Sequence, residues 1–464
     1  MHKIKLLYLC DINNEICCFN SSKNGEMMYK VYFITFGCKV SQYETELLRS
    51  SFSDAGFACT DESSEADVVV VNSCTVTGSG DNKSVYAVRK FRKELPDAVI
   101  VLTGCMPQAA PQAAEKVTEA DIVTGTKQRA KLPALVMEAM AGRRRIVDIS
   151  PLSRDEPFEE AEYIPTDSHT RAFVKIQDGC ECYCSYCMIP YARGRFRSKP
   201  LESLRREAEM LAKHGRKEIV LTGINIAFYG CREGKRLADA VEVCCETKGI
   251  ERVRLGSIEP EMILPEDLDR LAALPQFCPQ FHLSLQSGCG ATLKRMNRRY
   301  TPGEYASLVA DIRRRFPDAS FTTDIMVGFP YETDEEFEES MTFAQKIGFS
   351  RMHVFQYSPR EGTPAAKMEQ IPDTVKHERA VRMKALGEKL AGKYMESLVG
   401  KTVPVLFERE RSDDFHQGHA PDYTLIKISR KNFKKSLRNE IFYVTIERAD
   451  SDSCFGRIAD DAEV

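Results

Sequence analysis

The stretch QDGCECYCSYC, Gln177 to Cys187, places four cysteines within eight residues. Cys180, Cys184 and Cys187 stand at C-x3-C-x2-C spacing directly after a β-branched run. Three thiolates on one tight loop can hold three irons of a [4Fe–4S] cluster, whose corners otherwise take four cysteines, and the fourth iron then stays open for an exogenous ligand. Zinc is the competing reading. A structural zinc site wants four closed ligands, commonly two pairs on separate loops. Here all four thiols are crowded together, and Cys182 sits at a spacing that suits neither pair. The pattern favours iron–sulfur and leaves zinc open.

A second set of cysteines strengthens the metal reading. Cys38 follows KVYFITFG, Cys74 follows DVVVVNS and Cys105 follows AVIVLTG. Each run has the texture of a strand buried on both faces in a parallel sheet. Open α/β sheets gather ligands at the carboxyl ends of their strands. Neighbouring strands lie about 5 Å apart, so three such loops can converge on one cluster. One cysteine after a strand is commonly core filler; three in the same topological position point to a second three-ligand site.

The elements that must position these loops fall into three regions. Between the first strands lie SQYETELLRSSFSDAG and DNKSVYAVRKFRKEL, helical in period, and strand–helix alternation predicts an open parallel sheet over 29–150. Residues 151–170, rich in Pro, Glu, Asp and Ser, read as a linker. From Arg171 the strand candidates are RAFVKIQDG, EIVLTGIN, RVRLGSIEP, FHLSLQSG, FTTDIMVGFP and RMHVFQYSP, separated by helices such as SLRREAEMLAKHG and EEFEESMTFAQKIG. Six strand–helix units are too few for an eight-fold barrel, so 171–398 is expected to form a partial (β/α)6 barrel with a long trailing helix, roughly Asp373 to Leu398. In 399–464 the short runs KTVPVLFERE, YTLIKISR, NEIFYVTIER and CFGRIAD predict a small all-β barrel carrying the basic segment KISRKNFKKSLR, Lys427 to Arg438.

With 464 residues the chain has room for such a set of domains. No apolar run approaches the roughly 20 residues that span a bilayer. The N-terminal apolar stretch, Ile4 to Cys10, lacks a signal-peptide cleavage site. Residues 1–28 read as an extension without an assigned role, with a second start available at Met27 or Met28, and a cytoplasmic location is expected. Seventeen cysteines in a reducing compartment argue for metal or redox use of some of them. Cys59, Cys231, Cys244, Cys245, Cys278 and Cys454 are read as small buried hydrophobes. The net charge of −3 means that any nucleic-acid contact must come from a local patch.

Two three-cysteine sites ahead of a small β-barrel carry a resemblance. The Cys180 loop is similar to the cluster motif of radical S-adenosylmethionine enzymes. FGCKVSQYETE, VVNSCTVT and TGCMPQ resemble the N-terminal domain of the methylthiotransferases, and the tail resembles their TRAM domain, a nucleic-acid-binding barrel. The match runs from Tyr29 to the C-terminus. LTGINIAFYG, LGSIEPEMI, HLSLQSGCGATLKRMNRRYT and MHVFQYSPREGTPA look most like the branch acting on N6-threonylcarbamoyladenosine beside the tRNA anticodon. Cys182, Phe228 and GHAPDY depart from the family pattern.

The resemblance implies a tRNA methylthiotransferase with two [4Fe–4S] clusters and S-adenosyl-L-methionine, installing a methylthio group on carbon 2 of that adenine. The metal ligands are then Cys38, Cys74 and Cys105 for one cluster and Cys180, Cys184 and Cys187 for the other, with Cys182 a bystander. The open iron of the second cluster would chelate S-adenosylmethionine, whose one-electron cleavage yields the radical that attacks the C–H bond; the cofactor carries the difficult step. The first cluster would hold the sulfur to be transferred. S-adenosylmethionine contacts are expected at the strand ends from Gly223, Asn225, Glu259, Ser284, Gln286, Ser287 and Gly328, the last letting the backbone approach the adenine. RGRFRS, Arg193 to Ser198, and the basic tail are expected to contact phosphate. An anticodon-loop base is already largely unpaired, so exposing it costs little. An electron donor of reduced flavodoxin or ferredoxin type, no membrane partner and a monomeric state complete the expectation. The rivals are an isopentenyladenosine or ribosomal-protein substrate and, in another class, a non-catalytic iron–sulfur or zinc RNA-binding protein.

Overall fold

The computed structural model describes residues 28–76, 78–127, 129–142, 144–160, 170–409, 412–432 and 435–460. The N-terminal extension through residue 27, residues 161–169 of the expected linker, and Phe433 and Lys434 of the basic segment lie outside the described residues.

The first region is an all-parallel sheet of β1 (Lys30–Thr35), β2 (Ala58–Thr60), β3 (Val68–Ser73), β4 (Val99–Gly104), β5 (Ile122–Thr124) and β6 (Ile146–Asp148), in the order β2-β1-β3-β4-β5-β6. The runs VVVVNS and VIVLTG are buried at every position because both faces are covered. Val69, Val71, Ile100 and Leu102 pack on one side, and Val68, Val70, Val99 and Val101 on the other. The three-residue strands β2, β5 and β6 were not expected, being too short to show a period.

The second region contains β7 (Ala172–Asp178), β8 (Arg197–Ser198), β9 (Glu218–Gly223), β10 (Arg252–Leu255), β11 (Ser257–Ile258), β12 (Gln280–Leu283), β13 (Ser320–Val327) and β14 (Arg351–Gln356). The expected third strand breaks at Gly256, so that its first half pairs with β9 and its second with β12. The partial barrel is therefore two curved sheets, β10-β9-β7-β8 and β11-β12-β13-β14. Val174, Ile176, Ile219, Leu221, Val253 and Leu255 belong to one buried core with apolar residues of the surrounding helices. Period-2 alternation sends Phe173, Lys175 and Gln177 to the opposite face, which makes that face polar.

The helix Lys39–Asp54, which follows β1, packs against this second region. Its Glu44 meets Lys175 at 3.0 Å, and its Tyr43 hydroxyl donates to Glu207 at 3.2 Å. The described part of the acidic linker is docked as well. Glu156 pairs with Lys127 at 2.8 Å, and Glu159 pairs with Arg129.

The tail closes as a five-stranded barrel, β15 (Thr402–Phe407), β16 (Phe415–His419), β17 (Leu425–Ser429), β18 (Ile441–Ala449) and β19 (Cys454–Ile458), in the order β15-β16-β17-β19-β18. The strand FHQGH is too polar to have been read as one. Arg252 donates to the carbonyls of His419 and Pro404 at 2.9 and 2.7 Å, and Arg254 to that of Pro421 at 2.7 Å, which fixes the small barrel to the second region. Of the cysteines expected to be buried filler, Cys244, Cys245, Cys278 and Cys454 are buried; Cys59 and Cys231 are exposed, one on the short edge strand β2 and one in a turn.

Candidate active site

Each cysteine of the N-terminal set stands where a strand hands over to a loop or helix. Cys38 occupies the N-cap of the helix after β1, Cys74 follows β3, and Cys105 opens a short helix after β4. The turns are tight. Gly37 has φ +116°, and a Cβ there would lie 3.0 Å from Cys74 Cβ. Gly104 has φ +100°, and its Cβ would stand 2.7 Å from the Ser73 carbonyl oxygen. Gly104→Ala should therefore lower stability by about 1–3 kcal/mol and displace Cys105, read as a lower denaturation midpoint together with lost iron binding.

The second loop explains its own spelling. Gln177 donates to the carbonyls of Asp178 and Gly179 at 2.9 and 2.8 Å and accepts from the Asn225 backbone N–H at 2.7 Å, tying the ends of β7 and β9 together. Gly179, at φ +75°, passes so close to Arg195 that a Cβ would sit 2.0 Å from its carbonyl oxygen. Backbone N–H groups point at sulfur: Cys182 N–H to Cys180 Sγ at 3.5 Å, Ile189 N–H to Cys187 Sγ at 3.4 Å, and Val76 N–H to Cys74 Sγ at 3.4 Å.

Two arginines do the same with side chains: Arg298, which the sequence did not single out, and Arg193, expected only as a phosphate contact. Arg298 donates to Cys184 Sγ at 3.3 Å and pairs with Glu259. Arg193 donates from Nε and Nη2 to Cys105 Sγ at 3.2 and 3.1 Å. Its remaining hydrogen-bonding capacity goes to Glu44 at 2.5 and 2.9 Å and to Asp178 at 3.3 Å. Lys175 and Arg197 also reach Asp178, at 3.1 and 3.0 Å, and Arg129 reaches Glu44 at 3.0 Å.

This corrects the expectation for RGRFRS. Arg193 is 1 % exposed and Arg197 is largely buried, both committed to carboxylates, so neither is available to phosphate. Arg195 stays part-exposed and pairs with Glu181 at 2.8 Å. In the tail, Lys431 and Lys435 are exposed.

Cys105 and Cys187, one thiol of each set, respond chiefly to burial, as do the buried Cys244 and Cys278. Burial pushes the Cys105 thiol up to about 12 although Arg193 pulls it down, and burial with the neighbouring Cys184 takes Cys187 to about 12. Burial raises Cys74 and Cys184 as well, whereas Cys180 is lowered by its hydrogen bond with Cys182. The raised thiols, Cys74, Cys105, Cys184 and Cys187, would give up their protons on binding a metal. Among the described residues no three His, Cys, Asp or Glu side chains converge on a single ion. The donor chemistry fits [4Fe–4S] clusters: cysteine sulfurs with N–H donors aimed at them, a feature that tunes such clusters.

The residues expected to touch S-adenosylmethionine are placed as follows. Asn225 is buried, its Nδ2 donates to Cys182 Sγ at 3.7 Å, and its Oδ1 has no partner among the described residues. Glu259 is held by Arg298, burial raising its carboxyl although Arg298 opposes the shift. The Ser284 carbonyl accepts from Tyr300 at 2.7 Å. Gln286, at φ +61°, exchanges backbone bonds with Asp324 and Met326, both 2.8 Å. Gly223, Ser287 and Gly328 have packing partners that account for them: a Cβ on Gly223 would meet the Gln177 carbonyl oxygen at 2.8 Å, Ser287 accepts from the Cys289 N–H at 3.2 Å, and a Cβ on Gly328 would lie 2.4 Å from Lys376 Cγ.

Comparison with known proteins agrees with this geometry. Residues 174–344 match the Radical SAM superfamily model, and residues 30–125 match the model described as Uncharacterized protein family UPF0004. Over 403 residues the chain is 36% identical to the threonylcarbamoyladenosine tRNA methylthiotransferase MtaB of Bacillus subtilis, covering 85% of this chain and 89% of the relative. It is 38% identical to the protein of that name from Thermotoga maritima, covering 82% and 87%. It is also 35% identical to the tRNA-2-methylthio-N(6)-dimethylallyladenosine synthase of Acetivibrio thermocellus, covering 82% and 81%. Among solved structures, the radical S-adenosylmethionine methyltransferase TsrM of Kitasatospora setae shares the fold at TM-score 0.55 and 16% identity, covering 73% of this chain and 74% of that one.

Proposed function

This chain belongs to the radical S-adenosylmethionine tRNA methylthiotransferases, and from that membership we propose that it adds a methylthio group to carbon 2 of N6-threonylcarbamoyladenosine beside the tRNA anticodon. The observation that supports the reading is the buried ionic network between the sheet whose strand ends carry Cys38, Cys74 and Cys105 and the loop that carries Cys180, Cys184 and Cys187, in which Arg193, six residues after Cys187, bonds the sulfur of Cys105. Relatives of both substrate types match, so the choice of threonylcarbamoyladenosine rests on the phrases quoted above and on the relatives bearing that name.

We assign Cys180, Cys184 and Cys187 to one [4Fe–4S] cluster and Cys38, Cys74 and Cys105 to the other, over a chain divided at 29–150, 171–398 and 399–464. When bound, the clusters and S-adenosylmethionine supply the one-electron chemistry that breaks an unactivated aromatic C–H bond and the sulfur that replaces the hydrogen. The protein's part is orientation. Gln177 and Gly179 fix the start of the second loop, and Arg298 holds Cys184 against Glu259. Asn225 Oδ1 is an unpartnered buried acceptor of the kind an ammonium group needs. The exposed Lys431 and Lys435 of the closed barrel supply phosphate contacts. No helix among the described residues is long and apolar enough to cross a membrane; a cytoplasmic monomer served by a flavodoxin- or ferredoxin-type donor is the reading we carry.

The test is reaction of the reconstituted, reduced protein with anticodon stem-loop RNAs. RNA carrying threonylcarbamoyladenosine should gain the mass of one methylthio group in place of hydrogen. Turnover of dimethylallyladenosine RNA alone would move the chain to the other branch.

A further inference from the structure

The buried network between the two cysteine loops has a charge balance that a purely structural tie does not need. Arg129, Lys175, Arg193 and Arg197 meet Glu44, Asp178 and Glu159: four cations against three carboxylates. Glu44, Lys175 and Arg193 are 0–1 % exposed, and Asp178 is 3 % exposed. Uncompensated charge at this depth is costly unless it is paired. The group facing the surplus is Cys105 Sγ, which receives two N–H bonds from Arg193. A metal-bound Cys105 is a thiolate and supplies the fourth negative charge.

Arg193 also ends the short helix Ile189–Arg193, whose first N–H donates to Cys187 Sγ. One short helix therefore connects the sulfur of Cys187 to that of Cys105. Arg298 reaches Cys184 Sγ with one N–H and pairs with Glu259, where Arg193 reaches Cys105 Sγ with two and pairs with Glu44 and Asp178. The two sites differ in how the donors reach sulfur: a guanidinium gives two N–H bonds to Cys105, whereas Cys184 receives one and Cys180 and Cys187 are met by backbone N–H groups.

We propose that Arg193 is a positioning residue for the N-terminal cluster, fixing Cys105 and raising that cluster's reduction potential, so that its charge decides how electrons divide between the two clusters. The inference rests on the assignment of Cys105 as a cluster ligand. Its physical basis is that hydrogen-bond donors and positive charge at a cluster's sulfurs favour the more negative, reduced state.

The test isolates one cluster in the full-length chain. A Cys180→Ala, Cys184→Ala, Cys187→Ala background keeps only the N-terminal site, and its iron content and midpoint are followed by spectroscopically monitored redox titration. Arg193→Gln removes the charge and should shift the midpoint to more negative potential with iron retained. Arg193→Lys keeps the charge for Glu44 and Asp178 but cannot reproduce both N–H bonds, and should give a smaller shift in the same direction. In a Cys38→Ala, Cys74→Ala, Cys105→Ala background the same substitutions should leave the remaining cluster's midpoint nearly in place. A variant that binds iron, melts at lower temperature and keeps the parent midpoint would overturn the proposal and reduce Arg193 to a structural tie. If Arg193→Gln does not fold, the Arg193→Lys midpoint decides. Absence of iron from the folded parent background would refute the ligand assignment itself, and the proposal with it, a result distinct from an unshifted midpoint.

Discussion

Cys184→Ala should leave the reconstituted protein with about four irons per chain in place of about eight and no methylthio product, whereas Cys182→Ala should keep both. The two residues are neighbours on one loop, yet their surroundings differ. Cys184 Sγ is met by Arg298, which links it to Glu259 and, at 3.4 Å, to the Ser284 carbonyl. Without Cys184 the loop offers two ligands from the C-x3-C-x2-C set, too few to hold the cluster with one open iron. Cys182 is buried, and its thiol bonds Cys180 and, at a long 3.7 Å, Asn225 Nδ2. Removing it costs about 1 kcal/mol, and the Cys182 backbone N–H that donates to Cys180 is retained. Iron and sulfide analysis beside product measurement decides. If Cys182→Ala loses four irons and Cys184→Ala keeps them, the ligand assignment is wrong.

Glu44→Gln should be the most destabilising single change outside the cysteines, by about 3–5 kcal/mol. Glu44 is fully buried on the helix Lys39–Asp54 and meets Arg129, Lys175 and Arg193. The neutral amide leaves three buried cations with less compensation and loosens the packing of that helix against the second region. The same group sets an acid limit. Burial would raise the Glu44 carboxyl, but Arg129, Arg193 and Lys175 outweigh it and hold it from 4.5 down to about 2. A depressed folded value means that the stabilisation is complete above the unfolded value and disappears as pH falls through the folded one. Wild-type stability should therefore fall between about pH 4.5 and pH 2, and Glu44→Gln should fall less steeply there. Asp178, lowered against its burial by Lys175, Arg193 and Arg197, keeps part of the slope in the variant. Denaturant titrations across that range measure both effects.

How far the sequence speaks depends on whether a feature is local. The places of Cys38, Cys74 and Cys105 at strand ends were legible because each follows a run whose texture marks it as a buried strand. The six barrel strands were legible for the same reason; Cys184 and Cys187 stood out by spacing alone. The split at Gly256 was not, since RVRLGSIEP reads as one run and only its neighbours reveal that its halves pair with different strands. β16 was missed because FHQGH has no apolar alternation to announce it. The roles of Glu44, Arg193 and Arg298 depend on elements far apart in the chain: 149 residues separate Arg193 from Glu44, and 114 separate Arg298 from Cys184. Arg193 sits in a run of basic residues that suggests RNA, and only the meeting of two sheets turns it inward. Of the expected cofactor contacts, Gly223 and Gly328 illustrate a glycine ambiguity: both sit at strand ends, where close backbone approach and close side-chain packing call for the same residue.

The most direct measurement is a mass-spectrometric profile of modified nucleosides in bulk tRNA from cells with and without this gene. In the deleted strain 2-methylthio-N6-threonylcarbamoyladenosine should disappear and N6-threonylcarbamoyladenosine accumulate, and the wild-type gene, but not its Cys184→Ala form, should restore the methylthio nucleoside. Unchanged 2-methylthio-N6-threonylcarbamoyladenosine in the deleted strain would contradict the proposed function.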